Sequence, residues 1–174
     1  MPETGRPILI RFATSTSRPA ARQESRTVLR QVLALWSGLA PEQLPLAESR
    51  RGPQWHGFLA GQSLDISLSY CEEEAWIGLI RGGVIGVDAM SIRTFAEAEA
   101  VARHYLDSET QATIRQSSQP AQTFALAWTK FEARLKCLKF ELSEWNIDRV
   151  GAFANLACQE ILLGSTAVTV ATGK

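Results

Sequence analysis

The chain has 174 residues, enough to bury most of its apolar surface in one domain or in two small halves sharing a core. Eighteen Lys and Arg cancel eighteen Asp and Glu, so the overall charge favours neither a nucleic-acid nor a membrane-surface binder, and any phosphate chemistry must come from local clusters. Three cysteines (Cys71, Cys137 and Cys158) have no short paired spacing, and no apolar stretch approaches the roughly 20 residues of a membrane span, so a soluble cytoplasmic protein with reduced thiols is expected.

Pro7 to Ala13 alternates as a first strand, and the polar run after it leads into a helix from about Arg22 to Leu39. Val28, Leu29, Val32, Leu33 and Trp36 recur at helical spacing, and Gly38 and Pro41 close that helix. The stretch from Pro41 to Gly61, rich in Pro, Gly and charge, reads as a long connecting loop. Two short strands follow, LDISLSY and AWIGLI, and Arg81-Gly82-Gly83 fits a tight hairpin turn into VIGVDAM. A helix is expected from about Thr94 to Tyr105, then the polar segment DSETQATIRQSSQP, then a long helix from about Gln122 to Phe140 with Pro120 in its first turn. The tail from Ile147 to Thr172 alternates as two or three strands turning at Gly164-Ser165.

The order strand, long helix, strand, strand thus occurs twice. It implies an α+β fold, a pseudodimer of two similar halves, each a long helix packed on a small, mostly antiparallel sheet, spanning residues 1–83 and 84–174. Two carboxylates stand apart from the polar stretches that hold most of the others. Asp88 ends an apolar strand, and Glu132 lies inside a largely apolar helix in one column with Trp128 and Lys136, four residues away on either side. Buried acids need a partner or a metal, so two converging in a cleft suit a hard cation such as Mg2+, which takes one or two carboxylates and completes its shell with water and phosphate. The alternative is structural: Asp88 caps the next segment and Glu132 pairs with Lys136. His56 and His104 have no nearby Cys or His partner, and the acidic run beside Cys71 raises its pKa, so neither zinc nor thiol chemistry is expected. Trp55, in the long loop, is a candidate to face a substrate.

Gly86-Val87-Asp88, followed about 40 residues later by Trp128, Glu132, Ala133 and Lys136, resembles the paired signature of the 4'-phosphopantetheinyl transferase superfamily. LDISLSY is similar to that family's Asn-x-Ser-His-Ser strand, and RRGPQW to its Gly-Lys-Pro or Gly-Arg-Pro loop. The resemblance covers about Arg50 to Lys139 and implies the surfactin-synthetase-type pseudodimer, a monomer, rather than the shorter trimeric type. It implies holo-acyl-carrier-protein synthase activity: Mg2+-dependent transfer of the 4'-phosphopantetheine arm of coenzyme A to a serine of an acyl or peptidyl carrier protein. Asp88 and Glu132 would hold the metal, Glu132 or a metal-bound water would take the serine proton, and Lys136 would reach a phosphate. Arg50 or Arg51 would bind the 3'-phosphate of coenzyme A, with Ser69 also on the cofactor. Three positions depart from the pattern: Met90 replaces a second acid, Leu68 replaces the His between the serines, and Phe131 replaces the Lys before the Glu. These departures support the alternative of a catalytically impaired relative that binds coenzyme A or a carrier protein without transfer.

Overall fold

The computed structural model describes residues 3–49, 52–145 and 149–174. The described chain runs β1 (Ile8–Ala13), α1 (Arg18–Ser37), a short 3-10 turn (Pro41–Gln43), β2 (Leu46–Ser49), β3 (Gly52–Trp55), β4 (Leu64–Cys71), β5 (Glu74–Arg81), β6 (Val84–Ser91), α2 (Ala98–Tyr105), α3 (Ser108–Gln116), α4 (Pro120–Cys137), α5 (Arg149–Ala154), β7 (Ala157–Leu163) and β8 (Thr166–Gly173). It is a mixed α+β fold with three small sheets, ordered β1-β5-β4, β2-β3 and β6-β8-β7. Every pairing is antiparallel. The first and third sheets share one connection pattern: a strand, a long helix, then a hairpin whose second strand lies in the centre.

Helix α1 begins four residues before the expected Arg22, because Pro19 in the first turn costs no hydrogen bond there. It ends at Gly38, whose left-handed φ of 72° lets its N–H reach Ala34 O. Its buried stripe, Leu29 and Leu33, packs on Ile66, Ile77 and Leu79 of the first sheet. The opposite face of that sheet presents Trp76 and Ile80 to Ile85, Val87, Val168 and Val170 of the third, so β5 is apolar on both sides. Gly78 lets the sheets meet; a Cβ there would lie 2.4 Å from a Val87 methyl. Helix α4 covers the far face of the third sheet, with Thr129 and Thr169 joined by hydroxyls at 2.9 Å in that buried layer.

Several expectations are corrected. Gly82-Gly83 is no hairpin turn into β6: β5 already has β1 and β4 on its two edges, so the chain crosses to the other sheet, where β6 pairs with β8. The expected loop from Pro41 to Gly61 contains the hairpin β2-β3, whose strands are too short and polar to show alternation. The helix expected from Thr94 starts at Ala98. The segment read as merely polar holds α3, with Asp107 as N-cap accepting from Thr110 N at 2.8 Å. The tail contributes two strands, preceded by α5 in place of a third.

Candidate functional site

Strand β6 presents alternate residues to opposite layers: Ile85, Val87 and Ala89 enter the sheet-to-sheet core, which turns Gly86, Asp88 and Met90 toward the helical side. Gly86 sets the approach of α4, since a Cβ there would lie 1.9 Å from Ala133 O and 2.5 Å from Cys137 N. That close contact brings Asp88 beside Glu132 and Lys136.

Asp88 is 8 % exposed, and its Oδ1 takes two bonds, from Lys136 Nζ at 2.7 Å and from Ser69 Oγ at 3.0 Å. Its Oδ2 receives none from the described residues. Lys136 Nζ also donates to Val87 O at 3.0 Å, with Leu68 O and Ser69 Oγ farther off at 3.5 Å. The ion pair between Glu132 and Lys136 that a structural role would provide does not form; the ammonium goes to the strand acid instead. Glu132 receives no hydrogen bond from the described residues. Burial first, then the negative charge of Asp88, raise its pKa above the ordinary carboxylate value, and Lys136 opposes this only in part.

Two neighbouring carboxylates with open oxygens, one of them carrying uncompensated negative charge, form an oxygen donor set suited to a hard divalent cation. Among the described residues no group of three or more His, Cys, Asp or Glu is placed to hold a metal. Met90, where the resemblance has a further acid, packs instead among Phe124, Phe131 and the aromatic residues around them.

A cavity of about 370 Å3 shares Lys136 with the carboxylate pair and is lined by Trp55, His56, Asp65, Leu68, Lys136 and Lys139 among others. Its volume falls in the range of small-molecule sites. Lys139 holds a left-handed φ of 58° just past α4, and its Nζ bonds both oxygens of Asp65 at 2.8 Å. Leu68 gives this cavity an apolar wall. A second cavity, about 270 Å3, lies under α2 and α3 with Arg93, Phe95 and Arg115, away from both carboxylates.

The remaining sequence candidates divide clearly. Phe131 is 4 % exposed in an aromatic core with Trp128 and Phe153, so it points away from the carboxylates; Lys130 pairs with Glu160 at 2.8 Å. Trp128 belongs to the same core, against Tyr105 and Phe124. Arg50 and Arg51 lie outside the described residues. The pKa of Cys71 is raised, by burial more than by Glu72 and Glu74.

Sequence reasoning missed the role of the polar positions of β4. Asp65 Oδ2 accepts from Ile85 N at 2.8 Å, Ser67 Oγ from Val87 N at 2.9 Å and Ser69 Oγ from Ala89 N at 3.1 Å. These side chains satisfy the N–H groups on the free edge of β6, joining the two sheets without a strand ladder. The signal was the alternation of Asp65, Ser67 and Ser69 with apolar neighbours, which resembles a solvent-facing strand.

Residues 84–169, which include Asp88, Glu132 and Lys136, match the model of the family described as the 4'-phosphopantetheinyl transferase superfamily. No curated protein matches the chain significantly.

Proposed function

Because the chain belongs to the 4'-phosphopantetheinyl transferase superfamily, we propose that it transfers the 4'-phosphopantetheine arm of coenzyme A to a serine of an acyl or peptidyl carrier protein, using Mg2+: the serine oxygen bonds to the proximal phosphorus, the pyrophosphate P–O bond breaks, and 3',5'-ADP leaves. The observation that carries this reading is the juxtaposition of Asp88 and Glu132, both with open oxygens, and a cavity that shares Lys136 with them. The matching strand order of the first and third sheets supports a pseudodimer of residues 1–83 and 84–174 with the site at the joint, and on this reading the chain acts as a monomer in the cytoplasm. No described helix is long and apolar enough to cross a membrane.

Asp88 and Glu132 would hold the divalent cation, which supplies neutralisation of the pyrophosphate charge when bound. Lys136 holds Asp88 from one side and lines the cavity, so its charge is available to a phosphate placed there. Glu132, whose raised pKa marks a stronger base than an ordinary carboxylate, is suited to take the proton of an attacking serine hydroxyl. Leu68 and Trp55 offer an apolar surface for the uncharged part of the cofactor, and Arg50 or Arg51 would meet its 3'-phosphate. Catalysis of this kind is chiefly positioning and charge neutralisation.

The test is incubation with coenzyme A, Mg2+ and an apo carrier protein, followed by mass spectrometry. A phosphopantetheine adduct is expected. No adduct on several carriers, with coenzyme A still bound, would favour the non-catalytic relative, a reading that the apolar Met90 already supports.

A further inference from the structure

The two seam serines of β4 make the same kind of backbone bond and differ in their other partners, Ser69 Oγ lying also 3.5 Å from Lys136 Nζ. Ser67 Oγ accepts from Val87 N and touches no carboxylate, whereas Ser69 Oγ accepts from Ala89 N and also donates to Asp88 Oδ1. A hydroxyl has one proton. With the Ala89 N–H fixing one lone pair of Ser69, that proton is committed to Asp88, and the residue is 4 % exposed. Ser69 therefore has little left to offer a cofactor.

We propose that Ser69 is a positioning residue that holds Asp88 so that Oδ1 faces Lys136 and Oδ2 stays open to a divalent cation shared with Glu132. This reassigns Ser69 from the coenzyme A contact that the family resemblance implied. The proposal rests on reading Asp88 and Glu132 as a cation site. Lys136 cannot replace Ser69 in this role, because it approaches the same oxygen and a single contact leaves the carboxylate free to turn about it. The three side-chain bonds from β4 to the β6 edge supply the precision: β4 is registered on β6 at residues 85, 87 and 89, so Ser69 arrives at Asp88 with the strand rather than by its own rotamer alone.

The experiment compares Ser69→Ala with Ser67→Ala in the full chain, measuring Mn2+ binding by electron paramagnetic resonance and coenzyme A binding by calorimetry. Both variants lose one bond to a β6 N–H, and Ser69→Ala also loses the bond to Asp88, so it should melt lower than Ser67→Ala, and binding is compared at a temperature where both are folded. Ser69→Ala is expected to weaken Mn2+ binding about tenfold or more, the usual scale for a partner of a metal ligand, while Ser67→Ala stays within about threefold of the parent chain. Coenzyme A affinity without metal should be equal in the two. Equal Mn2+ affinity in the two variants would overturn the positioning role alone, as would loss of metal-free coenzyme A binding specific to Ser69→Ala. Absence of Mn2+ binding by the parent chain would overturn the cation site itself, and the proposal with it.

Discussion

Glu132 sits where a carboxylate is costly, and the cost has a direction in pH. A folded-state pKa above the ordinary 4.5 means that the folded chain binds this proton more tightly than the unfolded one. The stabilisation is complete below the unfolded value and is lost as pH rises through the folded value. Glu132→Gln carries no charge at any pH. In metal-free buffer the variant should therefore melt higher than the parent at pH 7, with the gap closing toward pH 4; equal melting temperatures at pH 7 would contradict the burial argument. The same variant should lose transferase activity by about 100-fold or more, since removing a ligand should exceed the usual effect of removing its partner. Stability gained where function is lost marks a residue retained for chemistry. Sequence spacing made Glu132 and Asp88 conspicuous. Only the fold showed that Lys136 serves Asp88, because a helix side chain can reach its own face or the strand below it.

At the scale of elements, the contact of α4 with β6 decides whether the carboxylates meet. Gly86 has no room for even one methyl, the obstruction being helix backbone that cannot rotate away. Gly86→Ala should cost about 3 kcal/mol or more, because the helix must lift from the strand. A melting temperature unchanged by the substitution would show that the approach is not tight. Long, strongly periodic elements such as α1, α4 and the strands LDISLSY and AWIGLI were legible from their patterns. The hairpin β2-β3 and helix α3 were not, for different reasons: the hairpin strands span four residues each, whereas the Asp107 cap of α3 was present in the sequence but stood in a run with no apolar stripe.

For the whole molecule, the two sheets share one core and one seam. Trp76 and Ile80 of the first sheet pack on Ile85, Val87 and Val170 of the third, so neither sheet keeps a closed core without the other. Thermal unfolding without metal should accordingly be a single transition, with circular dichroism and tryptophan fluorescence coinciding; two separated transitions would show independent halves. The sequence by itself determined the long helices α1 and α4, most strands, the repeated element order and the two carboxylates, because period, caps and glycines act over a few residues. It could not determine that β5 is closed on both edges, that β6 therefore pairs with β8, or that Asp65, Ser67 and Ser69 face that strand rather than water. Alternation records only that one face of a strand is polar. Which partner satisfies that face is decided by how the sheets stack, and here the stacking puts Ser69 on Asp88.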